Sequence, residues 1–182
     1  MTKVGILVGS LRKDSFSKKI AKNVATLFPE GYETEIVEIG NLPLYNQDYD
    51  DENNVPEAYT TFRTTMQAID AVLFVTPEYN RSVPSVLKNA LDVGSRPYGS
   101  SVWDGKAAAI ISQSPGNLSA FGANHHLRQS LVFLNMPTLQ QPEAYLANVA
   151  ELLDENGHLQ NEGTRNFLQT FVDAFIELIK KQ

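Results

Sequence analysis

Short, almost continuously apolar runs alternate along this chain with segments in which apolar residues recur every three or four positions. Runs of the first kind cover residues 4–9, 71–77 and 106–114. Their pattern is typical of strands that are buried on both faces of a parallel sheet. Two weaker strands are predicted at 34–39 and 137–146. Prolines interrupt the second, which places it at a sheet edge or a strand end.

A helix is predicted after each strand. In the first, Ile20, Val24, Leu27 and Phe28 share one apolar face, and Ser15 or Ser17 caps the start. The others are predicted from Pro56 to about Ala68, from Pro84 to 93, through the segment "HHLRQSLVFLNM", and from about Gly163 to Lys181. Regular alternation of strands and helices predicts an α/β fold with a doubly wound, five-stranded parallel sheet and helices on both faces. We expect a single domain over 1–182 and the flavodoxin-like strand order 2-1-3-4-5.

The amino-acid composition of the chain argues against several classes of functional site and partner. The chain has no cysteine, which excludes a disulfide framework, a cysteine-bound zinc and a thiol nucleophile. It has 15 Lys and Arg against 21 Asp and Glu, a net charge of −6, and this acidic balance argues against nucleic-acid binding. No leader segment and no run long enough to span a bilayer is recognised, so we expect a cytoplasmic protein that does not engage a membrane.

Charge is unevenly distributed. Residues 1–29 hold six Lys or Arg and one Asp, whereas residues 30–60 hold nine Asp or Glu and no Lys or Arg. Within the acidic half, residues 40–56 read as a long loop, which we interpret as a solvated surface with a partner surface as the alternative. The positive half centres on "GSLRKDSFSKK" (9–19), which leaves a local anion site open.

Ligands of such folds bind beyond the carboxyl ends of the strands, where three loops follow the apolar strands. The first loop (9–17) carries Ser10, Arg12, Ser15 and Ser17 just before a helix. Free backbone N–H groups, hydroxyls and a guanidinium suit a phosphate, with helix capping on a solvated basic surface as the alternative. Neither the P-loop spacing nor G-x-G-x-x-G is present, so a phosphate monoester is favoured over a triphosphate or a dinucleotide.

The second loop (77–83, "PEYNRSV") and the third loop (113–122, "QSPGNLSAFG") differ from the first in composition. Prolines hold the backbone of the second loop in place, which suits main-chain recognition of a planar heterocycle near Tyr79 and Asn80. Gly116 and Gly122 allow close approach of the third loop to a ligand. Each loop alone is equally consistent with an ordinary turn, but together the three match the phosphate, ribityl chain and ring of FMN.

The segments "GSLRKDSFS", "PEYNRSVPSVLKNALD" and "HHLRQSLVFLNM" followed by "QPEAY" resemble the NAD(P)H-dependent FMN reductase family, which includes quinone, azo-dye and chromate reductases. The resemblance implies non-covalent FMN, NADPH or NADH as co-substrate, a small-molecule electron acceptor, and a homodimer or homotetramer. It places the phosphate at Ser10, Arg12, Ser15, Phe16 and Ser17. It places the ring system at Pro77, Glu78, Tyr79, Asn80 and Ser82, with Ser114, Pro115 and Gly116 flanking the ring.

Three residues depart from the family pattern. Val93 stands where the family often has Trp, which affects the expected packing or subunit contact at that position. Ser17 stands where Asn is common in the family, and its hydroxyl can still donate a hydrogen bond to the phosphate. Asp14 stands where a neutral residue is usual, and we expect it to face solvent. His125 and His126 diverge on their helix, so no metal site is predicted. No catalytic side chain is expected either, because the flavin N5 carries the chemistry.

The leading hypothesis is an FMN-dependent NAD(P)H oxidoreductase that reduces quinones, azo compounds, free flavin or similar acceptors. Two alternatives lack NAD(P)H turnover: a flavodoxin-type electron carrier and a flavin-dependent interaction protein.

Overall fold

The computed structural model describes residues 1–182 as a parallel sheet covered by helices on both faces. Its strands are β1 (Thr2–Val8), β2 (Tyr32–Ile36), β3 (Ala71–Thr76), β4 (Ala107–Gln113) and β5 (Ala144–Leu146). They lie in the order β2-β1-β3-β4-β5, and every pairing is parallel. The doubly wound, flavodoxin-like order predicted from the sequence is therefore confirmed.

The helices are α1 (Phe16–Ala25), α2 (Asp48–Asp51), α3 (Glu57–Gln67), α4 (Ser85–Gly94), α5 (Phe121–Phe133) and α6 (Glu162–Ile179), with a 3-10 turn at Val149–Leu152. The four-residue α2 lies inside the long loop, where no helix was predicted. Helix α5 begins at Phe121, because residues 114–120 form the third loop rather than helix. None of the helices combines the length and the apolar character needed to cross a membrane.

Two of the predicted strands are shorter in the structure. Strand β2 ends at Ile36, although Val37 and Ile39 stay buried and the Val37 N–H still donates to the Ile6 carbonyl at 3.0 Å. Strand β5 covers only the last three residues of the predicted 137–146. The earlier residues touch β4 through a single bridge between Thr138 and Ala108, and β5 lies at the sheet edge as its prolines indicated.

Alternate side chains of the central strands enter two separate cores. One core, on the α1 and α6 face, contains Ile6, Leu73 and Phe171; the other, on the α3, α4 and α5 face, contains Leu7 and Phe74. Because β1, β3 and β4 are buried on both faces, their sequences show continuous apolar runs.

Trp103 fills the second core, where its Nε1 donates to the Leu91 carbonyl at 3.0 Å. A Cβ on Gly94 would lie 2.7 Å from the indole ring, so the glycine permits this packing. Trp103 is therefore a packing residue of the second core.

The long loop is ordered by contacts that the sequence did not indicate. Arg63 donates to both carboxylate oxygens of Asp50, at 2.7 and 2.9 Å, and this pair holds the pKa of Asp50 below its usual range. Tyr59 Oη donates to the Leu44 carbonyl, and Asn89 donates to the Pro43 carbonyl. The interpretation of 40–56 as a solvated loop holds for Asp48 and Asp51 but not for Asp50, whose carboxylate is buried.

Candidate cofactor site

The three loops meet at the carboxyl edge of the sheet because β1, β3 and β4 are neighbours there. Gly9 brings the first two loops together. A Cβ at this position would lie 2.9 Å from Thr76 Oγ1 and 3.2 Å from Pro77 Cδ, closer than ordinary contact. A side chain at residue 9 would therefore push the first loop away from the second.

The first loop presents a row of free donors. The backbone N–H groups of residues 10–17 donate to no other group of the protein. Ser15 caps α1 by accepting from the Lys18 N–H at 3.1 Å, which leaves its hydroxyl hydrogen free to donate. Arg12 is exposed and lies within 4.0 Å of no carboxylate. A loop of free N–H groups at a helix N-terminus, with an unpaired guanidinium beside it, is an anion site.

Asp14 does not oppose this anion site. Its carboxylate binds Lys19 Nζ at 2.5 Å and is 74% exposed. The hydrogen bond from Lys19 lowers the pKa of Asp14. The expectation that Asp14 faces solvent is confirmed.

Ser17 lies at the floor of the site and is fully buried. Its Oγ accepts from Gln113 Nε2 at 2.7 Å, while Gln113 Oε1 is buried and has no partner. Exchanging the two ends of the amide leaves its nitrogen unpartnered instead. Buried polar atoms without a partner are rare in folded proteins, so this position beside the first loop is a candidate ligand contact.

The second loop is a tight hairpin. Tyr79 and Ser82 exchange two backbone hydrogen bonds of 3.1 and 3.0 Å across Asn80 and Arg81. Both residues at the tip have positive φ, 52° and 65°. This is the geometry of a type I′ turn, in which Asn is favoured and Arg is unusual. The turn leaves the N–H groups of Glu78 and Asn80 without partners in the protein, available to ring acceptors.

Glu78 links the second loop to the third. Its side chain is only 11% exposed; Oε2 accepts from the Ala123 N–H at 3.1 Å and Oε1 accepts from Arg81 at 3.0 Å. Helix α5 has Ala120 at its cap position and receives no side-chain cap of its own. The Glu78 carboxylate therefore caps α5 from a neighbouring loop, and only the main chain of Glu78 remains available to a ligand.

The third loop is anchored on the segment after β5. Ser114 donates its backbone N–H to the Leu146 carbonyl at 3.1 Å and its Oγ to the Gly116 carbonyl at 2.8 Å. No protein atom lies within 4 Å of the position that a Cβ on Gly116 would take. The space beside Gly116, next to the exposed Pro115, is thus open to a ligand.

Apolar side chains surround the mouth of the site. Tyr79, Leu118 and Phe121 are 47%, 59% and 54% exposed. Phe121 packs on the rings of His125 and Tyr145, at 4.3 and 5.4 Å between centroids. Tyr145 donates to Glu143 at 2.8 Å, and burial together with this bond raises the pKa of Tyr145 to about 12. Tyr145 therefore stays neutral at physiological pH.

The structure brings the predicted residues of all three loops to one edge of the sheet. Two of them have side chains that turn away from the open space: Glu78 reaches α5, and Phe16 is half-buried against the α1 and α6 core. Ser82 accepts or donates a 3.0 Å hydrogen bond with His126. Arg128 donates to Asn124 Oδ1 and to the Leu139 carbonyl, both at 3.0 Å. Gln113 was not among the predicted site residues. The feature that could have indicated it is a polar residue at the end of an otherwise apolar strand.

These observations fit FMN. The free N–H groups and Arg12 suit its phosphate, the unpartnered Gln113 amide suits a ribityl hydroxyl, and the main-chain donors beside the open space at Gly116 suit the ring. Sheet order and site together define a flavin-binding protein of the flavodoxin-like class.

Sequence comparison identifies the family within this class. The sequence model of the NADPH-dependent FMN reductases matches residues 2–151, and the chain belongs to that family. It is an FMN-dependent NAD(P)H oxidoreductase. Membership in a family of reductases disfavours the two alternatives without NAD(P)H turnover.

The chain is also similar to individual relatives over nearly its whole length. A quinone reductase of Pseudomonas putida is 56% identical, covering 97% of this chain and 94% of the relative. A 2-hydroxy-1,4-benzoquinone reductase of a Burkholderia species is 45% identical, covering 98% and 96%. Among solved structures, the flavoenzyme NAD(P)H:(acceptor) oxidoreductase FerB of Paracoccus denitrificans superimposes with a TM-score of 0.92 at 41% identity, covering 100% of this chain and 98% of FerB.

Proposed function

We propose that this protein is a quinone reductase in which NAD(P)H and the quinone occupy the same position over the flavin ring in turn. The observation that carries the proposal is the exposed apolar rim formed by Tyr79, Leu118 and Phe121. Flat aromatic molecules stack on such surfaces, and both a nicotinamide and a quinone are flat rings. The names of the Pseudomonas and Burkholderia relatives support a quinone as the acceptor.

The side chains and main-chain groups of this protein bind and orient FMN, and none of them reacts with the substrates. Arg12, with the N–H groups of the first loop, holds the phosphate, and the hairpin at Asn80 with the loop at Gly116 presents main-chain groups to the ring. FMN held by these residues would supply the redox chemistry that connects NAD(P)H to the acceptor. Solvent reaches the open mouth, so the protons that the reduced quinone needs come from water.

Anaerobic mixing tests the first half of this cycle. We expect the yellow colour of the FMN-loaded protein to bleach on addition of NADPH or NADH and to return on addition of benzoquinone. Steady-state rates with both nicotinamides are then compared across a benzoquinone, an azo dye and free FMN, and we expect the quinone to have the highest kcat/KM. Protein that does not bleach contradicts the oxidoreductase itself, whereas faster turnover of free FMN contradicts only the choice of acceptor.

We also propose that the protein is a cytoplasmic homodimer or homotetramer, assembled through the outer faces of α4 and α5. Val132 and Phe133 on α5 and the nearby Tyr98 are largely exposed, and Phe133 and Tyr98 line one cavity. Isolated exposed apolar residues are common, but two large exposed rings, Tyr98 and Phe133, that line one cavity are typical of an interface. We expect sedimentation of the FMN-loaded protein to give at least a dimer and Phe133→Asp to shift it to monomer; a wild-type monomer contradicts this assembly.

A further inference from the structure

A second concave surface lies outside the cofactor site. It is a cavity of about 560 Å³ between α1, the turn at residues 154–158 and the start of α6, which we call the basic groove. None of the residues that line it is apolar, and six of them are basic: Lys13, Lys18, Lys19, Lys22, His158 and Arg165. Such a lining offers nothing to an apolar ligand and a strong attraction to an anion.

Most of this positive charge is not neutralised within the protein. Lys19 binds Asp14, and His158 lies 3.5 Å from Asp154. Lys13, Lys18, Lys22 and Arg165 have no carboxylate within 4.0 Å. A chain with a net charge of −6 therefore keeps a group of unpaired cations in one concavity.

The walls of the basic groove are held in place by specific contacts. Asn23 on α1 donates to the Gly157 carbonyl at 2.8 Å and accepts from the Leu159 N–H at 3.0 Å. Gly157 has a φ of +82°, and a Cβ there would lie 3.1 Å from the Lys19 side chain. Asp154 accepts from the Asn156 and His158 N–H groups within the turn. The backbone of the basic groove is thus held in place, and the cationic side chains project from fixed positions on it.

We propose that the basic groove binds a small anion with two or more clustered phosphates, at a site separate from the FMN phosphate. Several Lys ammonium groups and an Arg guanidinium match a multiply charged phosphate ligand. Asn156 lines the same cavity, and its side-chain amide, which has no partner within the protein, can donate a neutral hydrogen bond. Two sources share this chemistry: a free polyphosphate or nucleoside polyphosphate, and the 2′-phosphate and pyrophosphate end of NADPH. Only the second source rests on the proposed function.

Calorimetric titration of the FMN-loaded protein with sodium tripolyphosphate, at constant ionic strength, tests the site without turnover. We expect saturable binding, and we expect Lys22→Gln combined with Arg165→Gln to weaken it by at least about tenfold, since each removed cation takes away charge-assisted hydrogen bonds. The matched control is Lys180→Gln combined with Lys181→Gln, which removes the same charge at the far end of α6 and should change the affinity by less than about twofold.

Equal losses in the two double variants overturn the proposal, because they would reflect net charge alone. So does the absence of saturable binding to the wild-type protein. FMN affinity, measured in parallel on the apoprotein, is expected to be unchanged in both variants; a drop in the Lys22 and Arg165 variant alone would mean that the groove is part of the FMN site, which also overturns the proposal.

Two further measurements distinguish NADPH from a free polyphosphate as the ligand of the basic groove. If NADPH is the ligand, 2′,5′-ADP binds the groove more tightly than 5′-ADP, and the Lys22 and Arg165 variant has a raised KM for NADPH but not for NADH. If a free polyphosphate is the ligand, ATP and tripolyphosphate bind while both KM values stay unchanged. Either pattern supports the site, and a protein inactive with both nicotinamides but still binding tripolyphosphate would contradict only the proposed function.

Discussion

Arg12→Ala is expected to weaken FMN binding by about tenfold to about a hundredfold. Arg12 is exposed, forms no ion pair and lies among the free N–H groups of the first loop, so the phosphate is its only evident partner. Hydrogen bonds to charged groups contribute roughly 1.5–3 kcal/mol, and each 1.4 kcal/mol or so is tenfold in affinity. Fluorescence titration of the apoprotein with FMN measures the loss.

Lys18→Ala is the matched control for Arg12. Lys18 lies on the same basic segment, but its side chain lines the basic groove. We expect less than about a threefold change in FMN affinity, because only the long-range field is altered. Equal losses from Arg12→Ala and Lys18→Ala would show that the first loop is only a charged surface.

Glu78→Ala is expected to lower the free energy of unfolding of the apoprotein by about 2 kcal/mol and to weaken FMN binding as well. The substitution removes the cap of α5 and leaves the Ala123 N–H without a partner. It also separates the second loop from the third, so the hairpin at Asn80 loses its support. Urea denaturation of the apoprotein measures the change in unfolding free energy, and FMN titration measures the change in affinity.

Glu78→Gln distinguishes this cap from a general effect of charge. The amide oxygen still accepts from the Ala123 N–H, so we expect less than half of the loss in stability. Arg81→Ala removes only the exposed partner of the ion pair and should cost less than about 1 kcal/mol. If all three substitutions are equally destabilising, the carboxylate does not act as a helix cap.

The strand order was predictable because it follows from patterns within short segments of the sequence. Each central strand is buried on both faces, which gives the apolar runs at 4–9, 71–77 and 106–114, and alternation with helices then restricts the topology. The limits of β2 and β5 were not predictable. Ile39 is as buried as the residues of the central strands but lies beyond the pairing of β2 with β1, and the apolar pattern of a sequence reports burial rather than strand pairing.

The position of the cofactor site was also predictable, since parallel topology brings the ends of β1, β3 and β4 to one edge. The orientation of individual side chains was not. Glu78 caps a helix whose start lies more than forty residues away in the chain, and Gln113 meets Ser17 only across the sheet. Such contacts depend on tertiary packing, and the pattern of residues in one sequence carries no information on which distant side chains meet.

The two edges of the sheet limit association between molecules of this protein. Edge strands present unpaired main-chain groups that invite intermolecular β-pairing and aggregation. Strand β2 places the exposed carboxylates of Glu33 and Glu35 along one edge. At the other, β5 has only three residues, and Pro137 and Pro142 in the segment before it carry no N–H to offer. Neither edge therefore offers a long, uncharged strand for edge-to-edge pairing with another molecule.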